Sequence, residues 1–296
     1  MSRSLPDGIA CPGPLGFNAP VTSRARARLT ACVAAAAALL ALSACGDTTP
    51  SASRPYDGPL YETRAEATYP RAGAAGDVVR CRHFGSGGFD DAATHSEGAT
   101  AHSPGDALDV GISEASFEGG QQGLAIAART DDRVLYVREI DGVPKQAVIV
   151  HDGPGTEGAG GPGWYVESWA RCDWSELATS DAVPSWMQIW TDREGRPADT
   201  REVHSYLGPE HCDWQSMIFL QLGHRTYVRD VLPELRSYVD HPYVAHIALP
   251  GDAVDTGFSR DGRRLWLAAD HRTAYVGAHH SDVEAWPIEV RPLGCA

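Results

Sequence analysis

The sequence predicts an α+β, β-dominated fold, with a helix plus an antiparallel meander in the first half and mostly antiparallel β structure in the second. Two observations lead to this prediction. The tetrapeptide Ser103-Pro104-Gly105-Asp106 has the residues that start a helix, and short apolar runs separated by turn residues follow it along the chain. With 296 residues, the chain is long enough for one large domain or two small ones behind a leader.

Residues 1–44 have the pattern of an export leader. A basic patch at 24–28 precedes an apolar stretch at 29–42, and small residues follow just before Cys45. Basic, apolar and small-residue regions in this order are typical of a signal peptide. The apolar stretch is shorter than the roughly 20 residues that cross a bilayer. The ending Leu42-Ser43-Ala44-Cys45 resembles the lipobox of bacterial lipoproteins, which implies cleavage before Cys45 and a lipid on its thiol. The alternative is an ordinary secretory signal followed by a chance cysteine.

Residues 1–20 do not fit this leader, because a signal peptide normally begins just before its basic patch. The segment that precedes the patch here contains proline and glycine instead. A chain that starts at Val21 would form a complete signal peptide. We therefore infer that translation begins at Val21, from a valine-type start codon.

Four regions are predicted behind the leader. They are a polar, proline-containing tether at 45–57, a first α+β half at 58–172, a connecting segment at 173–210 and a second, mainly β half at 211–296. The composition of the tether is typical of a flexible linker. We expect it to lift the two halves away from a membrane surface.

The helix of the first half is predicted from its ends. Ser103 can cap it, Pro104 suits its first position, and the pair Gly119-Gly120 ends it. Asp141-Gly142 is a strong type I′ hairpin signal within the sheet that follows. The predicted strands of this antiparallel meander are 124–129, 133–140, 143–151 and 164–172. We expect the helix to cover one face of the sheet and so to bury a core.

The remainder of the chain continues as β structure. Apolar segments bounded by turn residues occur at 186–191, 200–207, 217–222, 226–230, 264–269, 273–277 and 283–290. Pro287 in the last segment indicates an edge strand, because proline cannot donate a ladder hydrogen bond.

Two decapeptides of the chain match each other, residues 104–113 (PGDALDVGIS) and residues 250–259 (PGDAVDTGFS). Each lies between two cysteines, so the match suggests an internal duplication. A second match, of residues 172–174 with residues 212–214, implies a different alignment of the two halves.

Four cysteines remain when the leader and Cys45 are set aside, namely Cys81, Cys172, Cys212 and Cys295. An even number in an oxidising compartment indicates two disulfides, for which four cysteines allow three connectivities. The duplication favours Cys81–Cys172 in the first half and Cys212–Cys295 in the second.

Four segments of the chain are similar to a known group of proteins. They are residues 163–169 (GWYVESW), 211–217 (HCDWQSM), 255–267 and 292–296 (PLGCA). Over most of its length behind the leader, the chain resembles uncharacterised actinobacterial surface lipoproteins, which have no assigned activity. The resemblance implies a lipid anchor and a position on the outer face of the cell membrane. It implies no catalytic residues.

Charge limits the partners of the chain. The net charge is −14, and the leader holds four arginines and one aspartate, so the chain behind it is more acidic still. A polyanion binds nucleic acid and anionic lipid or wall polymers poorly. We therefore expect no nucleic-acid partner. We interpret the negative charge as a source of solubility, and it is compatible with a cationic partner.

One tripeptide resembles a catalytic motif. Residues 255–257 (DTG) match the motif of aspartic proteases, which need two carboxylates that share a proton, and residues 109–111 (DVG) would supply the second. Val110 lacks the hydroxyl of that motif, and Phe258 stands where the family has a small residue. The helix start also places Asp109 inside a helix. We therefore interpret the two segments as a turn and a solvated helix face.

Other motifs of enzymes and cofactor sites are incomplete or missing. The glycines of residues 153–158 have dinucleotide-site spacing, but no helix follows to hold a pyrophosphate. The chain has no G-x-S-x-G elbow and no P-loop. Its twelve histidines include no H-E-x-x-H, although a metal site assembled across loops stays open. The sequence therefore predicts no catalytic, cofactor-binding or metal-ligating residue.

Tryptophan is the remaining feature of interest. Six of the eight tryptophans lie in the middle of the chain, at Trp164, Trp169, Trp174, Trp186, Trp190 and Trp214. They are expected to pack in the core, or alternatively to line an aromatic groove for a peptide or a glycan.

The leading functional prediction is a non-catalytic surface lipoprotein that binds a ligand or partner. The alternatives are a secreted hydrolase or metal-dependent enzyme with an unrecognised site, and a structural component of the envelope. A pocket in which Asp and His side chains converge would favour an enzyme, and a shallow aromatic patch would favour a binding protein.

Overall fold

The computed structural model describes residues 50–89, 100–113, 117–153 and 163–294. Within these ranges the chain forms antiparallel sheets with few helices, so the predicted α+β, β-dominated fold is confirmed. Residues Thr48–Ala296 form a single compact unit. The predicted leader, with Val21, and the predicted lipid site at Cys45 lie outside the described residues.

The first sheet has five antiparallel strands. They are β1 (Phe84–Phe89), β2 (Ala125–Arg129), β3 (Arg133–Ile140), β4 (Val143–Gly153) and β5 (Gly163–Cys172), and their order across the sheet is β1-β5-β4-β3-β2. The predicted meander is therefore confirmed, and β1 extends it beside β5. At the predicted hairpin, Asp141 and Gly142 have φ angles of 53° and 72°. Both central residues of a type I′ turn require positive φ.

Both faces of the first sheet are buried, each under its own helix. The helix α1 (Gly73–Val78) packs on the face that carries Leu135 and Ile149, and α2 (Pro104–Ser113) packs on the face that carries Val134 and Val148. Successive residues of a strand point to opposite faces. The unbroken apolar runs of β3 and β4 therefore need cover on both sides, whereas our prediction placed a helix on one side alone.

The predicted helix start is present in α2. The Ser103 hydroxyl accepts a hydrogen bond from the backbone N–H of Asp106 at 3.1 Å and donates one to the Asp106 carboxylate at 2.8 Å. By contrast, α1 was not predicted. It has six residues, two of them glycine, and lacks a side-chain cap, so it is too short to show a helical period in the sequence.

Part of the predicted tether lies along the first sheet. Ser51 forms a bridge with Ile126, and the backbone N–H groups of Ala52 and Tyr56 donate to the carbonyls of Ile126 and Ala127 at 2.8 and 2.9 Å. The strand β2 is at the edge of its sheet, and an edge strand offers unpaired backbone groups. Residues 51–56 therefore belong to the folded unit, which shortens the segment that could act as a tether.

Two further antiparallel sheets form the rest of the chain. The second contains β6 (Met187–Ile189), β7 (Val203–Leu207), β8 (Ile218–Leu222) and β9 (Arg225–Arg229), in that order. The third contains β10 (Val244–Ile247), β11 (Val254–Arg260), β12 (Arg263–Leu267), β13 (Thr273–His279) and β14 (Asp282–Pro287), in the order β10-β14-β13-β12-β11. The segment 173–210, predicted as a connection, therefore supplies two strands of the second sheet. The prediction that Pro287 marks an edge strand is wrong, because β14 lies between β10 and β13. Pro287 is tolerated there as the last residue of β14, beyond its pairing with β10 at Val283 and Ala285.

The second and third sheets share one core. It contains Leu220 and Tyr227 from the second sheet and Leu265, Val276 and Trp286 from the third. All five side chains are buried. The two sheets also meet at isolated bridges, so the strands of the second sheet and those of the third stabilise each other.

The first and third sheets have the same strand arrangement. In each, a four-stranded meander is extended by an earlier strand that pairs with the last one. The matching decapeptides each follow the first strand of their sheet, yet residues 104–113 form α2, whereas residues 250–259 form a turn followed by most of β11. The match in sequence therefore does not extend to a match in local structure, although the order of the strands agrees.

One buried carboxylate connects the end of β5 to the segment before β7. The Asp173 carboxylate accepts hydrogen bonds from the backbone N–H and hydroxyl of Ser175, at 2.9 and 2.6 Å, and from the backbone N–H of Thr200, at 3.0 Å. The Thr200 hydroxyl donates to its second oxygen. Asp173 is 2% exposed, so these donors replace the water that a carboxylate would otherwise bind.

The structure confirms the disulfide between Cys81 and Cys172. It joins the segment just before β1 to the end of β5. Cys212 is also disulfide-bonded. Its predicted partner, Cys295, lies outside the described residues.

Candidate ligand-binding groove

A surface groove with an aromatic wall lies beside β6 and β7. Its volume is about 570 Å³, and its lining includes Trp186, Tyr206, Leu207, Pro209, Glu210 and Gln215. Trp186 is 47% exposed, although an indole normally buries most of its surface. Sites for small ligands are typically clefts of about 300–1,000 Å³ with apolar walls and a few polar groups, and this groove fits that description.

Strand pairing fixes the aromatic wall. Met187 pairs with Tyr206, and the backbone N–H of Leu207 donates to the Trp186 carbonyl at 3.0 Å, so Trp186 lies opposite Leu207. The Tyr206 ring stacks on Phe219, with centroids 5.2 Å apart. A side chain that is held by packing loses little further entropy when a ligand binds, so the Tyr206 part of the wall is preorganised, while strand pairing fixes the backbone of Trp186.

The floor of the groove depends on a glycine. A Cβ atom at Gly208 would lie 2.2 Å from the Trp214 carbonyl oxygen, which is closer than atoms can approach. The backbone N–H of Gly208 also donates to the Met217 carbonyl at 3.0 Å. Gly208 therefore allows residues 206–210 to lie against the buried Trp214.

The polar side chains of the groove are few, and Glu210 carries the one formal charge among them. Glu210 is exposed, and its carboxylate makes no ion pair within the described ranges, while the Gln215 amide donates to the Glu210 carbonyl at 3.3 Å. Burial, followed by the charge of Glu289, raises the pKa of the Tyr206 phenol, so this hydroxyl stays neutral. None of the described lining residues is basic. The groove therefore suits a ligand that presents an apolar group next to a cation.

The tryptophans divide between the two predicted roles. Four of the six named above are buried, namely Trp169, Trp174, Trp190 and Trp214. Trp164 is half-buried at the start of β5. Trp186 is the exposed member of the six, and it forms the wall of the groove.

The structure gives the two aspartates of the protease-like segments separate partners. Asp109 lies on α2, over the first sheet, and accepts a hydrogen bond from Gln121. Asp255 lies on β11 of the third sheet, where it accepts a hydrogen bond from the backbone N–H of Gly257 at 2.9 Å and pairs with Arg264. Neither carboxylate lines the groove.

The histidines were the other candidates for a site. Within the described ranges, no group of three or more His, Cys, Asp or Glu side chains is placed to hold a metal ion. His95 and most of the glycine-rich segment 153–158 lie outside those ranges.

A buried polar cluster at the end of the first sheet was not predicted. Glu167 is the extra residue of a β-bulge in β5, and Nε and Nη2 of Arg133 each donate to one of its carboxylate oxygens at 2.8 Å. Nδ1 of His151 lies 3.1 Å from the same carboxylate and 3.0 Å from the Tyr165 hydroxyl. Burial favours a raised pKa for Glu167, but hydrogen bonds from Arg133 and His151 outweigh it and hold the pKa below its usual value.

The charged groups of this cluster all have partners, because Arg133 also pairs with Asp132 at 2.5 Å, at the exposed side of the cluster. The strand register brings together residues that are 34 positions apart in the sequence, which no local pattern could reveal. We interpret it as a structural ion pair that fixes the bulge in β5.

Comparison with known proteins adds no relative. No protein family matches the chain, and no curated protein or solved structure is significantly similar to it. In the described part of the chain, no helix is both long enough and apolar enough to cross a bilayer.

Proposed function

We propose that the protein is a non-catalytic, lipid-anchored binding protein on the outer face of the cell membrane, and that the groove beside β6 and β7 holds its ligand. The observation that supports this best is the exposed indole of Trp186 on a wall fixed by strand pairing. Tryptophan is enriched at binding surfaces because its large, rigid side chain buries much area at a low cost in entropy.

The chemistry of the groove favours a peptide that carries an apolar side chain next to a basic one. Trp186, Leu207 and Pro209 offer apolar surface, and Glu210 supplies a carboxylate without an ion pair among the described residues. A neutral glycan, the other predicted occupant, could stack on Trp186 but would offer no cation to the Glu210 carboxylate. The acidic net charge of the chain also attracts a basic peptide.

We expect Trp186→Ala to weaken peptide binding at least about tenfold without harming the fold, because the side chain is 47% exposed. A library of random heptapeptides displayed on phage would be selected on the wild-type protein, and the dissociation constants of the enriched peptides would then be measured by calorimetry. The wild type enriches peptides with an aromatic or aliphatic residue beside Lys or Arg. For these peptides, Trp186→Ala raises Kd at least about tenfold, which corresponds to about 1.4 kcal/mol.

The matched control is Val254→Ala, which shortens an exposed apolar side chain on β11, outside the groove. It should bind the selected peptides as the wild type does. Equal affinity of the wild type and Trp186→Ala for these peptides, or a selection that enriches no sequence, would show that the groove is not the binding site. Glu210→Gln should weaken binding by a few-fold and reduce its dependence on salt.

The anchor is tested independently of the groove. We expect Cys45→Ser to eliminate incorporation of a labelled fatty acid and to move the protein from the membrane fraction to the medium or the soluble fraction, because one thiol would carry the lipid. A matched Cys32→Ser variant, inside the leader, should leave labelling unchanged. A labelled Cys45→Ser protein would contradict the lipobox assignment.

A further inference from the structure

The chain just behind the predicted lipid site is fastened to the first sheet. The Pro50 carbonyl accepts a hydrogen bond from the backbone N–H of Ile126 at 2.9 Å, and the backbone N–H of Ala52 donates to the Ile126 carbonyl at 2.8 Å. These bonds hold Pro50 at the edge strand β2. The chain is therefore already paired with the sheet five residues after Cys45.

Covalent geometry limits how far Cys45 can lie from Pro50. A fully extended chain spans at most about 3.6 Å per residue, so five residues reach about 18 Å. Without the pairing, the twelve residues from Cys45 to Asp57 would reach about 43 Å. The pairing with β2 therefore removes more than half of the height to which the predicted tether could lift the fold.

A lipid on Cys45, which is part of the proposed function, fixes the other end of this short link. Its acyl chains would lie in the hydrocarbon core, and the headgroup layer of one leaflet is about 5–8 Å thick. Pro50 then lies no more than about 10–13 Å above the headgroups. A gap of this size is no wider than one helix with its side chains. The surface around Pro50 is therefore held against the membrane.

The bridge between Ser51 and Ile126 shows which end of the first sheet this surface belongs to. The bridge is parallel, so Pro50 lies at the end of the sheet where β2 begins. Ile126 pairs with Tyr136, and β3 runs on from there to the turn at Asp141-Gly142. At about 3.3 Å per residue, the tip of this hairpin lies about 17 Å beyond Ile126. That distance matches the full reach of the link from Pro50 to Cys45.

The surface at this end of the sheet is polar. Arg54 and Asp141 are exposed. None of the large apolar side chains exposed in the described part of the chain lies within residues 51–55 or 139–144. Aromatic or aliphatic side chains are what draw a surface into the acyl region of a bilayer. This surface therefore suits contact with headgroups and not insertion between the acyl chains.

We propose that residues 51–55 and the Asp141-Gly142 hairpin rest on the headgroup surface of the membrane that carries the anchor. This orientation depends on the proposed lipid at Cys45. The opposite end of the first sheet, where β4 ends and β5 begins, then points away from the membrane.

The test uses the full-length lipoprotein, reconstituted into phosphatidylcholine vesicles that contain a lipid with a gadolinium-chelating headgroup. A nitroxide is attached in turn to Arg54→Cys, Asp141→Cys and, as the matched control, His102→Cys. His102 is exposed, and the bridge of Ala101 with Trp164 places it at the opposite end of the sheet. Gadolinium accelerates relaxation of a nitroxide with the inverse sixth power of distance. The ends are about 30 Å apart, so we expect the acceleration to be at least about fivefold greater at positions 54 and 141 than at position 102.

A longer link to the anchor gives a second variant. A twenty-residue Gly/Ser linker inserted after Asp47 has a root-mean-square length of about 25 Å, so it lets the folded unit leave the headgroups. It should reduce the acceleration at positions 54 and 141 at least about threefold and bring it close to the value at position 102. The vesicles should still retain the protein, because the lipid is unchanged.

Flotation of the vesicles separates failure of the orientation from failure of the anchor. Protein that does not float with the vesicles lacks the lipid, and the proposed anchor and this orientation then fall together. Protein that floats, but shows equal acceleration at the three positions or no effect of the linker, keeps its anchor and overturns the orientation alone. Greater acceleration at position 102 than at positions 54 and 141 also contradicts the proposal.

Discussion

Replacing Asp173 with alanine should lower the free energy of unfolding by about 3–5 kcal/mol. The variant leaves the Thr200 hydroxyl and the backbone N–H groups of Ser175 and Thr200 without their acceptor in a site where Asp173 is 2% exposed. Hydrogen bonds to a charged group contribute about 1.5–3 kcal/mol each, and buried donors without a partner cost more than the bond itself provided. Urea unfolding, followed by tryptophan fluorescence, measures the loss.

Asp173→Asn is the informative comparison. One carboxylate oxygen accepts from Ser175 and from the Thr200 backbone, and the asparagine oxygen can keep these bonds. The amide N–H₂ would replace the second oxygen, and the Thr200 hydroxyl can rotate to accept from it. The expected loss is therefore smaller, about 1–2 kcal/mol. Asp252→Ala, at an exposed turn, serves as the surface control, and an equal loss in Asp252→Ala and Asp173→Ala would contradict the prediction.

Removing the Cys81–Cys172 disulfide should lower the free energy of unfolding by about 3–5 kcal/mol. The two cysteines are 91 residues apart, and a cross-link that closes so long a loop restricts the unfolded chain strongly. The double variant Cys81→Ala, Cys172→Ala is preferable to serine, because Cys172 is fully buried in the core beneath α1 and a hydroxyl would lack a partner there.

The measurement compares the variant with the wild type in urea, under oxidising conditions that keep other disulfides intact. If the disulfide acts through the unfolded state, the native far-ultraviolet circular dichroism of the two proteins should agree while the unfolding midpoints differ. The opposite result, equal unfolding midpoints, would contradict the prediction. It would mean that strain in the folded state offsets the stabilisation that comes from restricting the unfolded chain.

The local elements were predictable because their causes are local. The Ser103 cap and the Asp141-Gly142 turn depend on the φ angles and hydrogen bonds of a few neighbouring residues, so their residue types indicate them directly. The helix α1 was missed because six residues show no period. Likewise, the unbroken apolar run of β3 did not reveal whether one or both faces would be covered.

The candidate sites depend on contacts that no local pattern encodes. The sequence did not distinguish Trp186 from five other tryptophans as a residue of the core or of a groove. Its place on the surface depends on the pairing of Met187 with Tyr206, which are 19 positions apart in the sequence. Likewise, the ion pairs near the contact of the second and third sheets involve arginines of three strands, Arg229, Arg260 and Arg263. In the sequence each of these arginines resembles any solvated charge.

The sequence by itself determined the β-dominated class, the start of α2 and the hairpin of the first sheet, while the export leader and the lipid on Cys45 stay predictions. Tertiary structure alone decided that two helices cover opposite faces of that sheet, that segment 173–210 completes a second sheet, and that Trp186 lies on a surface groove. The physical reason is that capping, turn geometry and side-chain alternation act over a few residues. Burial and ion pairing, by contrast, arise when strands far apart in sequence pair and pack. The free energy of that packing depends on contacts throughout the fold.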